Sequence, residues 1–367
     1  MTAEFLTQTP PGKGAIAVIS LFAKEPAKIV SAFFVSRSGR PLGEYLPGEI
    51  VYGTIFEEDV LVCPVSENEM EIHCHGSQAA VARLETFLKE QGARESSREA
   101  WVERKFPEKT ENQRRAFLAL LGAETEKIAR ILHDQFDGAF ERALESGEDT
   151  QKWDELALHL TKPWKVVMVG KPNAGKSSLF NRILGFPRAI VYEKAGTTRD
   201  ILREKTVLDG WNVELVDTAG LHESQDEIER EGMRRAWLEI ESADLILWIR
   251  EALERQNAAE ISDFPNFPKE KRILTVWNKA DLLPKSEQNG LETQTETEME
   301  TEIAVSALQE TGMERLLERI VRTLIPEEPR PGTGMRIRKR GKSENAANLK
   351  TRQIREHGPL FGAENET

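Results

Sequence analysis

The sequence predicts a doubly wound α/β domain joined to an α+β unit before it and a reduced α-helical part. Three observations carry that expectation. Strand-length apolar runs recur in the second half of the chain, at Val166-Val167-Met168-Val169, at the alternating Val213, Leu215 and Val216, and at Ile273-Leu274-Thr275-Val276-Trp277. Helical spacing accompanies them, in Ser178-Leu179-Phe180-Asn181-Arg182-Ile183-Leu184 and again in Met313, Leu316, Leu317, Ile320, Val321 and Leu324. Residues 1–105 differ, with paired strands followed by one amphipathic helix.

Between the first of those runs and its helix stands Gly170-Lys171-Pro172-Asn173-Ala174-Gly175-Lys176-Ser177-Ser178. This is a G-x-x-x-x-G-K-[ST] loop in the strand–loop–helix context that gives the pattern meaning. The glycines let the backbone curl so that successive N–H groups turn inward onto phosphate oxygens. The helix start adds partial positive charge. Lys176 is placed to reach the β- and γ-phosphates, and Ser177 offers a hydroxyl to Mg²⁺. Asn173, Ala174, Gly175, Lys176, Ser177 and Ser178 are therefore candidate phosphate-binding residues. A chance glycine turn is the bland alternative, and the flanking strand and helix argue against it.

Three further motifs follow in order. Asp217-Thr218-Ala219-Gly220 closes a strand reached through an Asp209-Gly210 hairpin turn. Asp217 is suited to hold Mg²⁺ through water, and the Gly220 N–H to meet the γ-phosphate. Asn278-Lys279-Ala280-Asp281 ends the next strand. A carboxylate at Asp281 can accept from guanine N1–H and the N2 amine, a pair adenine does not offer, and a site built on that pairing rejects the wrong base. Ser306-Ala307-Leu308 follows Ile303-Ala304-Val305, where a backbone N–H can touch guanine O6. Each tetrapeptide is weak alone. Together, each at the C-terminal end of a strand where open α/β sheets bind ligands, they predict a Ras-like P-loop GTPase domain.

At 367 residues the chain is expected to hold two or three domains. A net charge of −12 gives no general sign of nucleic-acid binding. Two cysteines, Cys63 and Cys74, exclude a disulfide framework and fit a reducing compartment. The longest apolar run, residues 15–23, is too short to span a bilayer, and Met1-Thr2-Ala3-Glu4 lacks a basic signal start. A cytoplasmic protein with no membrane partner is the expectation.

In chain order, strands are expected at residues 14–19, 49–55, 60–65 and 69–76, then a helix over 77–90. His73, Cys74 and His75 invite a metal reading, but strand alternation sends the histidines to one face and the cysteine to the other. A strand end or a ligand-lining role is the preferred reading. Apolar residues at helical spacing over 111–145 predict a packed helix pair, continued by Trp153, Leu156, Leu158 and Leu160 to Pro163. The expected division is 1–105 for the α+β domain, 106–162 for the first helical part, 163–325 for the GTPase domain and 326–367 for a basic tail. Residues 292–302 are acidic and of low complexity, which predicts a mobile surface loop. The tail over 330–355 carries nine Lys and Arg against Glu344. It reads either as a solvated tail or as a phosphate-binding arm for RNA.

Leu221 occupies the place where Ras-type enzymes put a water-orienting glutamine. A leucine cannot hydrogen-bond a water, so catalysis is expected from elsewhere. Asn173 carries an amide oxygen suited to a monovalent cation beside the phosphates, which would neutralise charge developing between the β- and γ-phosphates. Glu229, in His222-Glu223-Ser224-Gln225-Asp226-Glu227-Ile228-Glu229-Arg230, is suited to positioning the attacking water. An acid favoured by a helix dipole is the open alternative there.

Ala195-Gly196-Thr197-Thr198-Arg199-Asp200, Pro172-Asn173-Ala174-Gly175 and Asp217-Thr218-Ala219-Gly220-Leu221 resemble the MnmE (TrmE) tRNA-modification GTPases. Those motifs are shared in part with other Era/Der-like GTPases. Thr9-Pro10-Pro11-Gly12-Lys13-Gly14-Ala15-Ile16-Ala17-Val18-Ile19, Glu71-Ile72-His73-Cys74-His75-Gly76 and Arg115-Ala116-Phe117-Leu118 match as well and are specific to the family. The resemblance covers most of residues 5–325. It implies an N-terminal domain that dimerises and binds a folate one-carbon donor (5-formyl- or 5,10-methylenetetrahydrofolate), and a GTPase domain inserted in a helical domain. It also implies GTPase domains of a homodimer that meet across K⁺, held by Asn173 and a loop ending at Thr197-Thr198. Thr198 becomes an Mg²⁺ ligand beside Ser177 and Asp217, and Glu229 the catalytic acid. The implied partners are an MnmG-type FAD protein and tRNA, modified at C5 of U34.

Departures from the pattern are specific. Ser20 stands where the resemblance expects an arginine, Ser66-Glu67-Asn68 where it expects a longer Ser-Tyr-Thr-Gly-Glu-Asp, and Ala119-Leu120-Leu121 where it expects Asn-Gly-Lys. The chain closes on Glu364-Asn365-Glu366-Thr367 in place of Cys-Ile-Gly-Lys, and the helices after the GTPase domain are expected to be shortened to the basic tail. A GTP-dependent RNA- or ribosome-binding switch without modification chemistry is the other function class.

Overall fold

The computed structural model describes residues 2–10, 12, 14–186, 202–218, 227–255, 267–285 and 301–338, with the backbone alone over 227–233. The chain divides into two compact units, Met1–Arg114 and Arg115–Thr367.

The first unit runs β1 (Glu4–Thr7), β2 (Ile16–Phe22), α1 (Pro26–Ser31), β3 (Phe34–Ser36), β4 (Val51–Ile55), β5 (Glu58–Ser66), β6 (Glu69–His75), α2 (Gln78–Glu90), β7 (Arg94–Glu95) and α3 (Arg98–Lys105). These strands form one sheet in the order β3-β4-β5-β6-β2-β1-β7. Alternation sends Ala17, Ile19 and Leu21 of β2 and Met70, Ile72 and Cys74 of β6 into a core closed by Leu84 and Leu88 of α2. Phe56 and Glu57, both at positive φ (50° and 71°), make the two-residue turn that joins β4 to β5. Ser77 caps α2, its Oγ accepting from the Ala80 N–H at 3.2 Å.

The strand expected over 14–19 lies two residues later, at Ile16–Phe22. Gly14 belongs instead to a close backbone crossing: a Cβ on Gly76 would come within 2.2 Å of the Gly14 carbonyl oxygen. Cys74 is buried in the core, His75 is exposed, and His73 Nε2 lies 3.3 Å from Glu71 on the opposite face. Among the described residues no cluster of His, Cys, Asp and Glu has the geometry of a metal site.

The helix α4 (Glu111–Leu120) leads into the second unit. There follow α5 (Glu126–Phe136), α6 (Ala139–Ser146), α7 (Asp154–His159), β8 (Trp164–Gly170), α8 (Lys176–Leu184), β9 (Leu202–Leu208), β10 (Trp211–Asp217), α9 (Glu227–Glu241), β11 (Leu245–Glu251), β12 (Arg272–Asn278), β13 (Glu302–Ala304) and α10 (Met313–Leu324). The sheet order is β13-β12-β11-β8-β10-β9. Every pair is parallel except β9–β10, which Asp209 and Gly210 join through a two-residue turn at φ 48° and 81°. Both faces are covered: Val166 and Met168 of β8 face α8 and α10, while Val167 and Val169 face Ile240 of α9 and Phe267.

Two expectations are corrected here. The segment 111–145 forms three helices and not a pair, because Gly138, at φ 89°, breaks the run and starts α6. Residues 330–338 are not a solvated tail. They form a strap in which Met335 and Ile337 are buried in the same core as Ile128, Leu132 and Trp164. Buried Gln135 donates from Nε2 to the Thr333 carbonyl at 2.9 Å and accepts from the Met335 N–H at 2.8 Å. A Cβ on Gly334 would meet Ala143 Cβ at 2.4 Å, so only glycine lets the strap lie this close to α6. The remaining basic residues, Lys339, Arg340, Lys342, Lys350, Arg352 and Arg355, and the acidic stretch 292–300 lie outside the described residues. No helix among the described residues is long and apolar enough to cross a membrane.

Candidate nucleotide-binding site

β8 delivers the phosphate loop at the C-terminal edge of the sheet, beside β10 and β11. Gly170 is required for that placement, since a Cβ there would sit 2.2 Å from the Ile249 carbonyl oxygen. The loop then turns through Asn173 at φ 64° and Gly175 at φ 87°, both left-handed. Gly175 opens α8, so the first N–H groups of that helix face the loop interior with the positive end of its dipole.

Lys176 is buried, and its Nζ donates to the Gly170 and Lys171 carbonyls at 2.7 and 2.8 Å. Burial pulls its pKa below the ordinary lysine value, opposed by the charge on Asp217. A buried ammonium whose hydrogen-bond acceptors are neutral carbonyls favours an added anion, which is what a triphosphate brings. Ser177 Oγ donates to Asp217 Oδ2 at 2.8 Å, pairing a hydroxyl from α8 with a carboxylate from the end of β10. Two hard oxygen donors this close to a phosphate site fit Mg²⁺. Thr218 is buried, with Oγ1 donating to the Met168 carbonyl at 2.7 Å, which pins the chain leaving β10.

The base side is built on buried Asn278. Its Nδ2 donates to the Ala174 carbonyl at 3.0 Å, and its Oδ1 accepts from the Ala307 N–H at 3.2 Å. One amide therefore ties the phosphate loop to the Ser306–Ala307 segment. A Cβ on Gly175 would lie 2.2 Å from Asn278 Nδ2, so the contact needs glycine. Lys279 takes φ 61°, which turns the chain back so that the Ala280 N–H donates to the Val305 carbonyl at 3.0 Å. Ser306 is fully buried, and its Oγ donates to Asp281 Oδ1 at 2.5 Å while accepting from the Gln309 N–H at 3.0 Å. The Asp281 carboxylate is thereby held by a fixed hydroxyl.

The structure brings Asn173, Ala174, Gly175, Lys176, Ser177, Ser178, Asp217, Asn278, Lys279, Asp281, Ser306 and Ala307 to one edge of the sheet. Thr197, Thr198 and Gly220 lie outside the described residues, and so does the side chain of Glu229, whose backbone is in α9. Two side chains that no motif flagged belong to this arrangement. Glu251 Oε1 pairs with Lys279 Nζ at 2.6 Å, brought there by the register that sets Glu251 against Asn278. Arg182 of α8 donates from Nε to the Ala307 carbonyl at 3.0 Å. Neither was legible locally, because each depends on strands or helices far apart in sequence.

A family profile described as "50S ribosome-binding GTPase" matches residues 165–279. The tRNA modification GTPase MnmE of Erwinia tasmaniensis is 30% identical over 85% of this chain and 80% of its own length. That of Thermotoga maritima is 29% identical over 95% of this chain and 86% of its own length. Among solved structures, Era in complex with MgGDPNP and nucleotides 1506–1542 of 16S ribosomal RNA is 30% identical over 46% of this chain and 59% of its own, with a TM-score of 0.34. The G domain of the T. maritima FeoB iron transporter is 22% identical over 44% of this chain and 98% of its own, with a TM-score of 0.29. Likeness to the MnmE proteins that runs through both units, with the P-loop site at the sheet edge, leads to one conclusion: the chain is a GTP-hydrolysing enzyme and belongs to the tRNA modification GTPase MnmE family.

Proposed function

We propose that this protein hydrolyses GTP in a K⁺-dependent reaction activated by dimerisation, and that the cycle serves C5 modification of tRNA wobble uridine U34 with an MnmG-type FAD protein. The observation that carries the reading is the extent of the likeness: it covers 95% of the chain in the T. maritima relative and is not confined to the nucleotide fold.

The chain's own residues support a division of labour. Lys176 and the α8 N-terminus bind and orient the phosphates. Ser177 and Asp217 are the residues to hold Mg²⁺, which when bound neutralises charge on the β- and γ-phosphates, with Thr198 the further candidate. Left-handed Asn173 lifts its side chain out of the loop to the exposed side, where an amide oxygen suits K⁺. Glu229 positions the water in place of the glutamine that Leu221 replaces. Asp281, Ser306 and Ala307 select guanine, and Gly220 and Thr197 complete the phosphate side.

Folate fits less well. Ser20, where the family expects an arginine, is fully buried and its Oγ accepts from Gln8 Nε2. Nearby cations are engaged internally: Arg98 with the Gln8 carbonyl, Arg104 with Glu4 and Lys105 with Glu69. These residues do not suit an anionic folate, and no step is derived through it. The same observation favours a second reading, a GTP-dependent RNA- or ribosome-binding switch without modification activity.

GTP turnover measured in KCl and in NaCl across a range of protein concentrations tests the first part. A rate that depends on K⁺ and rises per chain with concentration is expected. Equal rates in both salts would remove the cation role, and a concentration-independent rate would remove the dimer. Glu229→Ala should cut kcat by roughly 10²-fold or more with KM little changed; an unchanged kcat refutes the assignment. Nucleoside analysis of tRNA from cells lacking the gene separates the two readings, since U34 that keeps its C5 group leaves only the switch.

A further inference from the structure

The base-recognising loop is held from two sides, and only one of them lies in a motif. On one side Asn278 grips the Ala307 N–H and the Ala174 carbonyl. On the other, Arg182 reaches in from the last turn of α8, outside every motif, in the helix whose first turn faces the phosphates. Its Nε donates to the Ala307 carbonyl at 3.0 Å, and its Nη1 pairs with the Glu310 carboxylate. Glu310 itself sits at φ 62°, an uncommon backbone state for a non-glycine residue, at the bend that returns the loop towards α10. The Ser306 N–H donates to the Thr311 carbonyl at 3.0 Å and closes that bend.

We propose that Arg182 is a positioning residue for guanine recognition. The peptide joining Ala307 to Leu308 is planar, so fixing the Ala307 carbonyl also fixes the direction of the Leu308 N–H. Asn278 fixes the preceding peptide through the Ala307 N–H. Together the two side chains set both peptide planes of the Ser306–Leu308 segment, the Ala307 N–H being engaged by Asn278, so that the Leu308 N–H is the donor this clamp aims at the 6-oxo group of the base. Arg182 and Glu310 thereby couple the phosphate-binding helix to the loop that reads O6. Asp281, held by Ser306 on the other edge of the base, reads N1–H and the N2 amine independently of this clamp. The inference rests on the guanine reading of the site.

The test is calorimetric binding of GDP, 6-thio-GDP and IDP to the full chain and to Arg182→Ala and Arg182→Lys, with melting temperatures recorded for each. 6-Thio-GDP replaces O6 by a larger and weaker sulfur acceptor while keeping N1–H and the N2 amine, and IDP lacks only the N2 amine. The wild type is expected to prefer GDP over 6-thio-GDP by about three- to tenfold, the worth of one neutral hydrogen bond. Arg182→Ala should bring that preference close to one while leaving the preference over IDP intact, and Arg182→Lys, which keeps a donor and a charge for Glu310, should restore most of it. A 6-thio preference unchanged in Arg182→Ala, or one lost in equal proportion with the IDP preference, overturns the proposal. A wild type that binds GDP and IDP equally overturns the guanine reading itself.

Discussion

Replacing Asp281 by asparagine should change which base the site accepts. The Ser306 hydroxyl donates to Asp281 Oδ1 at 2.5 Å, and Ser306 is buried and held by the Gln309 N–H. In Asp281→Asn that donor still needs an acceptor, so the new amide oxygen takes it and the NH₂ group turns to the base. Guanine then presents N1–H and the N2 amine to another donor. Two charge-assisted hydrogen bonds are lost, about 1.5 to 3 kcal/mol each, for a total of about 3 to 6 kcal/mol. That corresponds to a fall of roughly two to four orders of magnitude in kcat/KM for GTP. Xanthine carries an oxygen where guanine carries the amine, so XTP turnover should rise in the same variant. Steady-state turnover of both nucleotides, with the melting temperature as a folding control, decides the matter. A kcat/KM for GTP within about threefold of wild type, which is under 1 kcal/mol, refutes the role given to Asp281.

Three other perturbations follow from the same geometry. Lys176→Met removes a buried ammonium whose pKa burial has lowered; the nucleotide-free protein should melt higher, while GTP turnover falls by roughly 10²-fold or more. His159 is buried, stacked on Trp164 at 3.6 Å, and burial holds its pKa below the ordinary 6.5 despite the opposing charge of Asp244. The unfolded chain therefore binds the extra proton first, and stability should fall as the pH drops below about 6.5, with His159→Gln flattening that slope in denaturant titrations. Gln135→Ala leaves the Thr333 carbonyl and the Met335 N–H without their buried partner. A loss of about 2 to 4 kcal/mol in denaturant unfolding is expected, and a change below about 0.5 kcal/mol would show that the strap is not held this way.

The nucleotide fold and much of its site were legible because their signals are local. Strand periodicity, the strand–loop–helix setting of Gly170 to Ser178, and the Asp209-Gly210 turn each depend on residues a few positions apart. What the strand ends carry follows from the rule that ligands gather at the C-terminal edge of a parallel sheet. Local patterning was less informative for short or bent pieces. The four-residue β1 gains its place by pairing with β2 and β7, and the break at Gly138 shows as a single glycine within a helical pattern.

Other features were decided by tertiary structure alone. Met335 and Ile337 lie in a segment whose composition reads as a basic tail, and they are buried because Gln135 and the bare backbone of Gly334 draw it onto α5 and α6. Glu251 reaches Lys279 through the β11–β12 register, and Arg182 reaches Ala307 across 125 residues of sequence. The class of fold and the chemistry available at the loops could be read from the residues in order, because hydrophobic period and turn residues act over one or two turns of chain. Which side chains hold those loops in place was decided by packing, since a hydrogen bond between distant segments leaves no periodic trace in either one.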